Sequence, residues 1–289
     1  MKVNFEEKTY ESYFNIELSN RSDTFFPPGQ ILEGLLGFDS CVLTRDKQLW
    51  HLFMFMSNSA NNRGIDLHKI AEEMENFESS WLKKIPKIKV NVLFQYKKPE
   101  YISSARGKEW HLWGEPYYRY EIYQKQQELL MRINQKLESK VLILYVSPAL
   151  YDIRELLEAY KAKRIIDFSN FQKVSALYGH HCNTYIKAGN YSIANSQPKE
   201  IDNIALLKEL EQIEDRNTGS NIEFIINFCT QISNIMSEDK YYSKLFNKLN
   251  QRFDYLKNDC WLVYNYIMLY HFRLLTGIQC LMQCHKLEK

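Results

Sequence analysis

Residues Val141–Val146 read VLILYV, an apolar run with no polar alternation, closed by Ser147-Pro148. A short unbroken apolar run is how a strand buried on both faces reads, and such strands sit in sheets that carry helices on both sides. The neighbouring segments agree. The preceding stretch QKQQELLMRINQKLESK places Leu129, Leu130, Ile133 and Leu137 at helical spacing; Asp152–Lys163 is a second helix and Arg164–Phe168 a second short strand. Strand, helix, strand, helix, strand in succession implies an α/β core with a mixed or parallel sheet.

Upstream, Lys89–Glu100 reads KVNVLFQYKKPE, an apolar strand that ends in Gln95, Tyr96 and Lys97 and is stopped by Lys98-Pro99. Before it, Asp66–Lys84 has helical periodicity through Leu67, Ile70, Ala71, Met74, Phe77 and Trp81. Glu11–Leu18 reads as a strand or a helix end, and Phe26-Pro27-Pro28-Gly29 is a break. Gln30–Leu36 reads as a short helix stopped by Gly37, and Phe38–Leu43 as a strand with Asp39 at its start. Residues Gly179–Gln197 are rich in polar and turn-forming residues.

After Pro198 the strand signals give way to amphipathic helices at Ile201–Asp215, Asn221–Met236, Tyr241–Leu256 and Cys260–Cys284. The expected organisation is an α/β domain over 1–198 and an all-α domain over 199–289 serving oligomerisation or partner docking. The last helix is apolar on more than one face, so it is either the core of a bundle or a buried partner interface.

With 289 residues, 45% of them hydrophobic, the chain is long enough for one large core or two modules. Its 37 basic and 35 acidic residues leave a net charge of +2, so any basic surface must be local. The six cysteines are scattered with no CxxC pair, which suits reduced core thiols in a cytoplasmic protein. The opening MKVNFEEKTYESYF is polar, so no secretion leader is expected there, and Asn265, His271 and Arg273 interrupt the longest apolar patch, so no membrane span is expected. The absence of GxxxxGK[ST], GxGxxG, GxSxG and HExxH leaves nucleotide hydrolysis, dinucleotide redox chemistry and serine hydrolysis without their usual signatures.

Side chains at i and i+2 of a strand share a face, so Gln95 and Lys97 are expected side by side on a rigid element. Phosphodiester hydrolysis with Mg²⁺ needs oxygen ligands for a hard cation and a positive group near the attacking water or the phosphate. Asp39 and Gln95 supply the first and Lys97 the second, stabilising the charge that develops on phosphorus. The alternatives are an Asp39 that shapes a turn and an edge-strand pair in solvent. Adjacent His180 and His181 would point to opposite faces of a strand, so at most one serves a given site, with a loop role as the alternative. The cluster Arg106, Lys108, Trp110, His111 and Trp113 mixes cations with aromatics, suited to backbone contact and base stacking or to a loop folded over the core.

GQILEGLLGFDSCVL followed by FQYKKP resembles the PD-(D/E)xK restriction-endonuclease-like superfamily, in the Mrr-like variant whose second acidic residue is Gln. The resemblance covers roughly residues 25–170. It implies a restriction-endonuclease-like mixed sheet flanked by helices, with Glu33 as the helix acid, Asp39 as main metal ligand, Gln95 as second ligand and Lys97 as catalytic lysine. Asp66–Lys84 would then be an insertion between the two catalytic strands. Lys98, Arg106, Lys108, Gln126, Gln127 and His180 are the residues expected against DNA, and Mg²⁺ or Mn²⁺ the expected cofactor. The LGFD and QYKKPE contexts are also similar to those of bacterial proteins of phage defence. The implied activity is a metal-dependent DNA endonuclease of an anti-phage system, acting as a homodimer or larger homo-oligomer, with a partner defence subunit on the C-terminal helices. The alternative is a catalytically inactive nuclease-like subunit that binds nucleic acid or a partner protein.

Overall fold

The computed structural model describes residues 3–25 and 67–286, apart from 190 and 196. In chain order the elements are α1 (Glu7–Arg21), β1 (Thr24–Phe25), α2 (Leu67–Leu82), β2 (Ile88–Tyr96), β3 (Glu100–Ile102), α3 (Trp110–Trp113) and β4 (Tyr117–Glu121). There follow α4 (Gln124–Leu137), β5 (Val141–Pro148), α5 (Ile153–Lys161), β6 (Ser169–Lys173), β7 (Cys182–Tyr185), β8 (Tyr191–Asn195) and β9 (Lys199–Asp202). The chain continues through α6 (Leu206–Gln212), α7 (Asn221–Ser237), α8 (Ser243–Gln251), α9 (Trp261–Thr276) and β10 (Ile278–Cys284).

Among the described residues the fold is mixed α/β with two five-stranded sheets. The first has the order β1-β10-β2-β5-β6, in which β2 and β5 run parallel and the other described neighbours antiparallel. A parallel neighbour needs a crossover, and α4 lies within the one that joins β2 to β5. Leu142, Leu144 and Val146 pack with Val90, Val92, Phe94 and Tyr96 in the core that holds Tyr10 and Phe14 of α1. Ile143 and Tyr145 pack on the opposite face with Leu93 and with residues of α4, α7 and α9. Both faces of β5 are thus buried, which is why its sequence carries no alternation. The second sheet, β3-β4-β7-β8-β9, is antiparallel throughout.

Several boundaries differ from the sequence reading. Glu11–Leu18, read as a strand or a helix end, is helical and lies inside the longer α1. Arg164–Phe168 is not a strand; a 3-10 turn over Ile166–Phe168 precedes β6. The polar stretch Gly179–Gln197 contains the β7–β8 hairpin, which hides its strand character because it buries polar residues such as Asn183 and Ser192.

The expectation of an all-α region after residue 198 is corrected at two places. Lys199–Asp202 extends the second sheet as β9, and the last helix stops at Thr276, after which β10 enters the first sheet between β1 and β2. Gly277, at φ +71, is the left-handed residue that ends α9, and Ile278 then pairs with Gln95. The segments on either side of residue 198 therefore share both sheets. The apolar surround of α9 is explained by packing against α2, α7 and α8 within one core. The helix α7 is fixed at its start by a capping box, in which Ser220 and Glu223 exchange side-chain and backbone bonds. Among the described residues no helix is long and apolar enough to cross a membrane, and the five described cysteines are free and buried.

Candidate functional site

Period-two geometry puts Gln95 and Lys97 on the face of β2 that looks toward α4 and α9, and Gln126, in the first turn of α4, reaches both. Lys97 Nζ donates to Gln126 Oε1 at 2.9 Å, and Gln126 Nε2 donates to Gln95 Oε1 at 2.6 Å. The same Nε2 donates to the Thr276 carbonyl at 3.0 Å, one of the terminal carbonyls that α9 leaves without an intrahelical partner. One amide therefore ties β2, α4 and the C-terminal end of α9 together.

Lys97 is 5% exposed. Its ammonium lies 4.8 Å from the Tyr123 ring centroid and 5.3 Å from that of Tyr145, a cation–π arrangement that partly replaces lost hydration. Burial holds its pKa down to about 8, against the opposing pull of the Glu7 and Glu121 carboxylates. Burial raises Glu7 in turn, opposed chiefly by Lys97. Glu7 Oε2 also accepts the Lys98 backbone N–H at 3.1 Å, which clamps the end of β2 to α1. A lysine that titrates near neutrality in a buried pocket can give and take a proton, which a surface lysine does not do.

The other candidates divide clearly. Gln127 is turned inward: it is 5% exposed, accepts from Tyr145 Oη at 2.6 Å and donates to the Val174 carbonyl at 2.9 Å, which corrects its expected place against DNA. Adjacent residues of a helix diverge by about 100°, so only one of the two glutamines can serve the β2 face. Lys98 reaches out to Glu6 at 3.3 Å. His180 lies in the turn before β7, and because the Ile122 N–H bonds the His181 carbonyl at 2.8 Å, this turn abuts the Glu121–Tyr123 segment beside Lys97. Its Nδ1 is buried without a partner, and burial lowers its pKa.

Arg106 and Lys108 are exposed in the loop that leaves β3 at the Ile102–Tyr117 end of its ladder, away from Glu121 and Lys97. The aromatic part of that loop folds back on the protein. Trp113 stacks on Tyr191 with centroids 5.4 Å apart and donates its indole N–H to Thr184 Oγ1 at 3.1 Å. Asp39 and Glu33 lie outside the described residues, as do the helix and strand expected to carry them.

The sequence reading missed Tyr123 and Gln126's bond to α9. The first stands in a strand-to-helix junction without periodicity, and the second depends on where α9 ends.

A divalent cation was expected between Asp39 and Gln95. Among the described residues no three His, Cys, Asp or Glu side chains converge to hold a metal ion, and the Gln95 oxygen is already taken by the Gln126 amide. Gln95 alone does not make a site for Mg²⁺ or Mn²⁺, hard ions that need several oxygen ligands, and Asp39 and Glu33, expected to complete it, lie outside the described residues. No protein-family model, no curated protein and no solved structure matches this chain.

Proposed function

We propose that the protein is a nuclease acting on DNA, with Lys97 as its reacting cation, and that it serves in bacterial defence against phage as the likeness of its LGFD and QYKKPE contexts implies. The observation that carries this reading is the buried Lys97 held by Gln126 beside Gln95 at the end of the central parallel strand pair. An ammonium desolvated to a pKa of about 8 binds a phosphate oxygen more strongly than a hydrated one, and can pass a proton to the departing oxygen. Tyr123, 63% exposed, lies over this ammonium and must turn aside for a phosphate to reach it.

One observation favours the non-catalytic alternative, a nuclease-like subunit that binds nucleic acid or a partner protein. The Gln95 oxygen, both polar atoms of Gln126 and the Lys97 ammonium are all engaged internally.

Incubation with supercoiled plasmid in Mg²⁺, Mn²⁺ or EDTA, for the wild type and for Lys97→Ala, Gln95→Ala and Asp39→Ala, separates the two. Nicking that disappears with Lys97→Ala supports the nuclease. Nicking that survives Lys97→Ala removes Lys97 from the reaction. A protein that shifts DNA in a gel without cutting it under any of these conditions supports the binding subunit.

A further inference from the structure

Helices α2 and α9 pack against one another. Glu75 Oε2 accepts the Val263 N–H at 2.9 Å and so caps the start of α9, where Cys260 makes no side-chain cap bond. Three residues further along each helix, about 4.5 Å of rise, stand Glu78 and Tyr266.

Glu75 Oε1, Glu78 Oε2 and the Tyr266 hydroxyl are each buried without a hydrogen-bond partner. Glu75 is 8%, Glu78 7% and Tyr266 0% exposed. The Tyr266 hydroxyl lies in the field of both carboxylates, and Glu78 in that of Glu75. Among the described residues no lysine, arginine or histidine offsets either acid. A buried, uncompensated carboxylate is disfavoured by several kcal/mol. Burial and the neighbouring Glu75 raise Glu78 to about 7, so a proton can neutralise one of the pair. Such a proton can bridge two carboxyl oxygens at most and leaves the Tyr266 hydroxyl without a partner. An oxygen-preferring cation satisfies all three together.

The geometry points to a divalent-cation site of the hard class (Ca²⁺, Mg²⁺ or Mn²⁺), formed by Glu75 Oε1, the Glu78 carboxylate and the Tyr266 hydroxyl oxygen, with water completing the shell. It is separate from the Lys97 site: Tyr266 stands about 15 Å along α9 from Thr276, where Gln126 binds. It does not rest on the nuclease reading.

The test is Tb³⁺ luminescence sensitised by nearby aromatic rings, titrated on the full chain and competed with Ca²⁺, for the wild type, Glu78→Gln and Tyr266→Phe, with circular dichroism confirming the fold. A saturable signal that Ca²⁺ displaces is expected in the wild type, with affinity at least tenfold weaker in Glu78→Gln. Tyr266→Phe, which keeps the ring and removes only the ligand oxygen, is expected to weaken binding at least threefold, and serves alone if Glu78→Gln does not fold. Titrations unchanged by the substitutions, or the absence of any saturable signal in the wild type, would overturn the site and leave a proton as the only occupant.

Discussion

Replacing Lys97 by Met retains most of the side-chain volume and removes the charge. The amine titrates near 10.5 in the unfolded chain and about 8 in the folded one. Between those values the unfolded chain binds more protons, so the wild type gains stability as pH rises through the window. Protonated Lys97 lowers wild-type stability by ~3 kcal/mol at about pH 7, and by ~1.4 kcal/mol at about pH 9.5. Met carries neither penalty. It does leave Gln126 Oε1 without its donor, a pH-independent loss of roughly 1–3 kcal/mol that nearly cancels the gain near neutrality. The informative quantity is therefore the slope. Urea unfolding of both proteins at several pH values should show wild-type stability climbing by ~2 kcal/mol relative to Lys97→Met between about pH 7 and about pH 9.5. A difference that stays flat or falls over this range refutes the buried-cation account of the site.

Three further outcomes follow from the packing. Gly277→Ala forces a left-handed φ of +71 on a residue with a Cβ and aims that Cβ at Gln95 Nε2, 3.9 Å away; a loss of about 1 kcal/mol is expected in thermal unfolding. Glu17→Gln weakens a buried carboxylate that accepts the Ile165 N–H at 2.6 Å and pairs with Arg21; chemical denaturation should report a loss of roughly 2–3 kcal/mol. Burial, aided by Arg252, holds His271 down to about 4, below its ordinary 6.5, so the stability it confers is present above about pH 6.5 and lost as pH falls toward 4. His271→Gln should therefore flatten the acid limb of the stability profile by ~2 kcal/mol at about pH 5.

What the sequence made legible was governed by local periodicity. Gln95 and Lys97 share a face because strands alternate, and VLILYV is buried twice over because nothing in it is polar. The misses are equally physical. IQCLMQC continues the largely apolar character of α9, broken by no charged residue, and only Gly277 separates the two, so β10 reads as more helix. Tyr118 and Tyr185 stack across β4 and β7, centroids 5.5 Å apart, in a partnership that no local window contains. Of the candidate site, the strand pair and one glutamine were legible. The internal role of Gln127 was not, since it depends on contacts from Tyr145 and Val174.

The place of β10 bears on how the molecule is assembled during synthesis. Ile278 pairs with Gln95 across about 180 residues of chain, and such distant pairing slows folding because the intervening loop must first be closed. A nascent chain that has emerged only as far as α9 exposes the whole edge of β2, an apolar template open to pairing with other chains. Chains stalled before residue 278 should therefore be the aggregation-prone species in the cell, and chaperone engagement should fall sharply once Cys284 has cleared the ribosome.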